Sequence, residues 1–182
     1  MLNCKITKVP EAVCDTSVSG VLKLAVANWS EDYTFTASGT GCEIDTIDLG
    51  QENFLELAVG DNSAYANANA QAGSGDNKAI LHQVGGLINR LDCNMQEDWK
   101  NYLLGRVIFA VLTKNHQVLL FGVDNGLSST NFDFATGTAE GDAQGITFLY
   151  EGLQKNAPLI VKDWATISAL FPQQSGGGKA NP

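Results

Sequence analysis

The most regular pattern of hydrophobic positions lies between residues 106 and 123. The chain reads RVIFAVLT, breaks at Lys114-Asn115-His116, and continues as QVLLFGV. Two apolar runs around a short polar break predict a β-hairpin. A strand with one face in water carries polar residues at every second position, and this hairpin carries almost none. We therefore expect both faces to be covered, either by helices of the same chain or by a neighbouring subunit.

Shorter segments with strand patterns lie on both sides of the hairpin. Residues 33–38 alternate between apolar and polar, and so does GITFLYEG at 145–152, which indicates half-buried strands. Gly85-Gly86 predicts a β-bulge inside its strand. The predicted strands outside the hairpin are 18–29, 33–38, 42–49, 54–59, 79–91 and 145–152. Short strands with frequent turns favour an antiparallel β-sandwich or barrel.

Helical periodicity and a polar segment complete the pattern. An amphipathic helix is predicted over 95–104, ending at Gly105, and it is the expected cover for one face of the hairpin. The pattern also allows a short helix over 163–171. By contrast, residues 62–77 (NSAYANANAQAGSGDN) are small and polar, so we predict a long exposed loop there, of a length that is often functional.

Length and composition fit one domain, since 182 residues with 44% hydrophobic content can bury a core. We expect a β-rich domain over 1–172 and a flexible tail over 173–182 (QQSGGGKANP). The expected fold class is mainly β, an antiparallel sandwich or barrel with one amphipathic helix and a short C-terminal helix. No run reaches the roughly 18 apolar residues that span a bilayer. The N-terminal sequence also lacks the apolar region of a signal peptide, so we expect no membrane partner.

Charge is distributed unevenly along the chain. The net charge is −9, and no Lys or Arg occurs between Lys23 and Lys78, where nine acidic residues occur. The plainest interpretation is a solvated acidic face. Binding to nucleic acid depends on cationic groups that release counterions, so such a face does not hold DNA. DNA could, however, slide past it without adhering.

Residues that usually carry chemistry form no recognisable site. The four cysteines, expected to be reduced, show no C-x-x-C spacing, and His82 and His116 add no zinc pattern. No G-x-S-x-G motif occurs, and SGGGKA near the C terminus lacks the context of a phosphate-binding loop. Acidic residues around the glycine turns at 124–145 are better explained by turn chemistry than by Ca²⁺ binding. We predict no enzyme activity, no cofactor and no metal.

From the predicted helix onward, the sequence resembles the tail tube (major tail) proteins of tailed bacteriophages and similar small virion structural proteins. The features that carry the resemblance are the helix 95–104 running into RVIFAVLTKNHQVLLFGV, DNGL at 124–127, GTAEGD at 137–142, and GITFLYEG. Cys-x-Ile at Cys4, and Cys14-Asp15 ahead of GVLKLAVAN, fit the same family. The resemblance covers most of the chain, although its motifs are turns and apolar runs.

The resemblance implies a non-enzymatic virion subunit that assembles with copies of itself into rings. Stacked rings form a tube through which DNA passes without specific binding, in a tail assembled in the host cytoplasm beside neighbouring virion proteins. Under this hypothesis the second cover of the hairpin is the adjacent subunit, and 62–77 and 173–182 contact the next ring. The candidate interface residues are Val107, Phe109, Val111, Leu119, Phe121, Tyr65, Asn67, Asn69 and Lys179. The candidate lumen-facing acids are Glu43, Asp45, Asp48, Glu52 and Glu56.

Other functions stay open at this point. A head–tail connector, a neck ring or a capsid decoration protein uses similar small β folds. A ligand- or carbohydrate-binding β-sandwich would place exposed aromatic residues at one loop end, where Tyr33, Tyr65 and Phe132 are the candidates. An enzyme would be indicated by turnover that depends on His82.

Overall fold

The computed structural model describes residues 19–37, 39, 43–59, 63–72, 78–88, 99–136 and 144–172. These residues are mainly β, as predicted, and the predicted tail 173–182 lies outside them. The strands are β1 Val21–Asn28, β2 Thr34–Ala37, β3 Glu43–Asp48, β4 Leu55–Leu57, β5 Tyr65–Ala72, β6 Lys78–Ile88, β7 Arg106–Thr113, β8 Val118–Phe121, β9 Leu127–Ala135, β10 Gly145–Gln154 and β11 Leu159–Val161. The helices are α1 Trp99–Leu104 and α2 Trp164–Ser168.

The strands form one mixed sheet that divides at β7. Its main path is β2-β3-β11-β8-β7-β9-β10-β6-β5, and β1 pairs with the other side of β7 and with β4. We call β8, β11, β3 and β2 the first arm, and β9, β10, β6 and β5 the second arm. The pairing of β11 with β3 is parallel. The expectation of a wholly antiparallel arrangement is therefore wrong for this pair.

Strand β7 is buried on both faces by the chain itself. Val107, Phe109 and Val111 lie in a core with side chains of β1 and the second arm, which we call the second-arm core. The residues that alternate with them, Ile108 and Ala110 among them, lie in a first-arm core with β1 and the first arm. The predicted two-sided burial of the hairpin is thus confirmed. Each large side chain buried this way contributes roughly 1.5–3 kcal/mol.

Helix α1 does not provide the predicted cover of the hairpin. Its Tyr102 ring stacks on Phe132 of β9 at 5.5 Å between centroids, and the Tyr150 hydroxyl donates a hydrogen bond to the Tyr102 carbonyl. Leu104 at its end is 84% exposed. The helix therefore packs at the edge of the second-arm core, and strands cover β7. Residues 95–98 of the predicted helix lie outside the described residues.

Helix α2 falls within the predicted segment 163–171. The Asp163 carboxylate accepts a hydrogen bond from the Thr166 N–H at 2.9 Å, which caps the first turn. Ile167 is fully buried in the first-arm core. One turn of helix is thus fixed by a cap at its start and an apolar anchor on its inner face.

The predicted loop 62–77 is wrong over most of the residues that the structure describes. Residues 65–72 form β5, which pairs with β6 in a continuous register. Alanine occupies every second position from Ala64 to Ala72, and this period of two was the available signal. The predicted bulge at Gly85-Gly86 is also wrong, because the registers of β6 with β5 and β10 run through it unbroken. Gly85 instead makes room for Tyr65, whose ring lies 2.7 Å from where a Cβ would be.

Candidate assembly surface

Strand β5 ends the second arm, and no described residue pairs with its outer edge. Just before the strand, the Leu87 N–H donates to the Ser63 carbonyl at 3.2 Å. In an antiparallel ladder this means that Ser63 and every second residue after it direct their N–H and C=O groups toward β6. Ala66, Ala68 and Ala70 alternate with them. Their backbone N–H and C=O groups therefore point away from β6, toward the open edge of the sheet, where another strand can pair with them.

The open edge of β5 lacks the features with which proteins usually protect an edge strand. Such protection comes from lysine or other charges, proline, a bulge or very short length. The eight residues YANANAQA contain no charge and no proline, and their register shows no bulge. The strand is therefore suited to pairing with a further strand.

Strand β9 forms the end of the second arm opposite to β5. This strand pairs with β7 only at Leu127 and Ser128, and with β10 on its other side. Among the described strands, none pairs with residues 129–135 on the β7 side, although α1 contacts β9. The four-stranded second arm thus ends in β5 on one side and in β9, which pairs with β10, on the other.

The outward face of the second arm is rich in amide side chains. Asn69 Nδ2 donates to Gln83 Oε1 at 3.3 Å, and Gln83 Nε2 donates to Glu151 Oε1, so a polar ladder crosses three strands. Tyr65 is 46% exposed on the same face. The outward positions of β5, β6, β10 and β9 contain no Lys or Arg. This face offers no cationic group for a phosphate.

The candidate lumen-facing acids lie elsewhere. Glu43, Asp45 and Asp48 lie on β3, Glu52 lies in the segment after it, and Glu56 lies on β4. Asp45 pairs with Lys162 at 3.5 Å, and Glu56 pairs with Lys23 at 3.3 Å. The Glu56–Lys23 pair is exposed, and pairs of this kind contribute about 0–1 kcal/mol, whereas Asp45 is partly buried. The long stretch without lysine or arginine is therefore partly neutralised by Lys23 on β1 and by Lys162, which follows β11.

The candidate interface residues separate into two groups. Val107, Phe109, Val111 and Phe121 are enclosed in the second-arm core, and Leu119 packs partly against it. Because the same chain covers these side chains, the reason for placing them in a subunit contact no longer holds. Tyr65, Asn67 and Asn69 are exposed on the outward face of the second arm. Lys179 lies outside the described residues.

The aromatic candidates for a ligand-binding module do not form a platform. Phe132 is buried, and the Tyr33 hydroxyl donates to the Asn28 carbonyl at 2.8 Å. A cavity of about 280 Å³ lies between β1, the 51–55 segment and α1. None of the three aromatic candidates lines it. The module hypothesis therefore loses its predicted site.

A polar cluster of Gln154 and the turn 124–126 lies between the arms, and the sequence did not predict it. Gln154, 1% exposed, accepts hydrogen bonds through Oε1 from the N–H groups of Asp124 (2.9 Å) and Asn125 (3.1 Å). Its Nε2 donates to the Gly126 carbonyl at 3.0 Å. One side chain thus fixes the turn where the chain passes from the first arm to the second. The surrounding LQKN sequence gives no local sign of this role.

Comparisons with known proteins leave the family unassigned. The chain matches no family model, and no curated protein or solved structure matches it. In the ranges that the structure covers, neither helix is long and apolar enough to cross a membrane. Function is therefore inferred from the residues and their geometry.

Proposed function

We propose that the protein is a non-enzymatic virion subunit of the tail tube type, which assembles with copies of itself into stacked rings. The open edge of β5 is the observation that carries this proposal. An uncharged eight-residue strand presents the backbone groups of Ala66, Ala68 and Ala70 to solvent. A strand of a second copy would pair with them, and repeated pairing is what ring assembly needs. The sequence resemblance to tail tube proteins supports the same function.

The contact would be head-to-tail, because β5 of one copy meets a different strand of the next. Strand β9 is the complement we favour, since it forms the other end of the second arm. Head-to-tail contacts close into a ring when the rotation between copies divides a full turn. The second arm would then continue from copy to copy as one sheet.

In such a ring, the outward face of the second arm would line the channel. Its Asn69–Gln83–Glu151 ladder is polar, and the face carries no Lys or Arg. Phosphates would find no cation there, so DNA would pass with little adhesion. Under this proposal the amide-rich face, and not the acids of β3, is the surface that DNA passes in the virion tail.

Substituting Ala68 with proline tests the contact. The Ala68 N–H points away from β6, so Ala68→Pro removes a hydrogen-bond donor from the open edge of β5 and leaves the β5–β6 ladder intact. Electron microscopy and light scattering across a concentration series should show rings or tubes for the wild type. We expect the variant to remain a monomer with an unchanged circular dichroism spectrum. Ala68→Ser keeps the N–H and should assemble like the wild type.

Three outcomes would count against parts of the proposal. Normal tubes from Ala68→Pro would exclude the β5 edge as the contact. Closed rings that never stack would indicate a connector or neck ring. A wild-type chain that stays monomeric at every concentration would favour a decoration protein or a binding module.

A further inference from the structure

His82 is a buried titratable residue on β6. Strand β6 places its side chain at 2% exposure, with its ring edge-on to Phe121 at 5.3 Å between centroids. Nδ1 accepts a hydrogen bond from the Gly122 N–H at 3.2 Å. Nε2 is buried and meets no acceptor in ideal hydrogen-bond geometry, although the Asn156 backbone is close enough to act on the ring as a hydrogen-bond partner and raise its pKa.

The hydrogen bond from Gly122 fixes the tautomer of the neutral His82 ring. Because Nδ1 accepts, the single proton must lie on Nε2. The ring also lines a cavity of about 100 Å³ together with Asp124 and Asn156, which leaves room beside it. Nε2 would have to lose its proton before it could bind a metal, so we do not assign a metal site.

Gly122 begins the connection from β8 of the first arm to β9 of the second arm. It follows β8 of the first arm, has φ +82°, and precedes the turn that leads to β9 of the second arm. A Cβ at Gly122 would lie 2.7 Å from Leu127 Cγ, so the backbone is closely packed there. The hydrogen bond from Gly122 to His82 therefore ties this turn to β6.

We propose that His82 is an acid-sensitive latch for the turn 122–126. A second proton can enter only at Nδ1, which would set two donors, Nδ1–H and the Gly122 N–H, against each other at 3.2 Å. The ring must then leave Gly122, and the adjacent cavity offers space next to the Asp124 carboxylate. Acid thus releases the turn that joins the arms. The latch operates within a single copy and does not depend on ring assembly.

The surroundings of His82 contain one charged side chain that acts on it. Asp124 raises the pKa of His82, while β8 presents Leu120 and Phe121, and β5 and β10 place Ala68 and Gly152 opposite it. Lys155 of the neighbouring segment is exposed. Burial is the largest influence and lowers the pKa of His82 below 6.5, against the contributions of Asn156 and Asp124. The turn is therefore held above pH 6.5 and loosens as the pH falls toward the lowered value.

Hydrogen exchange of residues 122–126 in the full-length chain tests the latch. After correction for the intrinsic exchange rate, the opening constant should rise by about tenfold per pH unit from pH 6.5 down to the pKa of the folded state. His82→Gln can accept from Gly122 but does not titrate, so its opening constant should stay constant. His116→Asn replaces the other of the two histidines, which is exposed, and should keep the wild-type response.

Two results would overturn the latch. The first is the same acid response in wild type and His82→Gln. The second needs no variant: nitrogen NMR of the wild type at pH 7.5 that finds the His82 proton on Nδ1. A proton on Nε2, together with an acid response that only His82→Gln abolishes, would establish it.

Discussion

Replacing Val111 with aspartate should leave the chain unfolded. Val111 is 1% exposed in the second-arm core, in the middle of a strand that is covered on both faces. An ionised carboxylate cannot remain there, and even a protonated one loses hydrogen bonds to water at a cost of roughly 2–7 kcal/mol. The lost valine burial adds about 1.5 kcal/mol or more. A typical domain is stable by only about 5–15 kcal/mol. The soluble yield and the circular dichroism spectrum would report the loss.

Two leucines, Leu153 and Leu119, calibrate this result. Leu153 is 53% exposed on β10, so Leu153→Asp should change stability by no more than about 0.5 kcal/mol. Leu119 is partly buried, so Leu119→Asp should have an intermediate effect. A Val111→Asp protein that melts at the wild-type temperature would show that β7 is not enclosed within one chain.

Replacing Gln154 with leucine should destabilise the protein by about 2–6 kcal/mol. The buried Gly126 carbonyl loses its partner at a cost of about 1–3 kcal/mol, and the part-buried N–H groups of Asp124 and Asn125 each lose a hydrogen bond that contributes about 0.5–1.5 kcal/mol. The side chains are similar in volume, so little of the loss comes from packing. Urea denaturation measures the change in the free energy of unfolding.

Asn125→Ala is the matched control in the same turn. Asn125 is exposed, and its Nδ2 donates to the Leu153 carbonyl at 3.0 Å. Loss of this exposed hydrogen bond should cost about 0.5–1.5 kcal/mol. Equal effects of Gln154→Leu and Asn125→Ala would mean that Gln154 does not anchor the turn.

The local pattern was sufficient where large apolar residues fill a strand. The apolar run of β7 predicted both the hairpin and its two-sided burial. The local pattern did not predict β5, because alanine and asparagine are poor strand formers and bury little apolar area. It also missed β11, whose three residues form a strand only between β8 and β3. Such pairing depends on distant segments that a local pattern does not contain.

The candidate surface was only partly predictable for the same reason. Tyr65, Asn67 and Asn69 were named correctly as exposed residues, although in a loop. Whether their strand has an open edge depends on the order of strands in the sheet. Likewise, the pairing of Asp45 with Lys162 joins residues far apart in sequence, so the acidic stretch looked more highly charged than it is.

The parallel pair of β3 and β11 has a consequence for synthesis. Strand β3 emerges from the ribosome long before its partner strand Leu159–Val161 is made. Strand β1 likewise waits for β7. Long-range pairing of this kind is slow, and unpaired strands are prone to aggregate in the meantime. Nascent chains stalled before residue 159 should therefore remain sensitive to protease, because the first arm can close only after Leu159–Val161 has emerged.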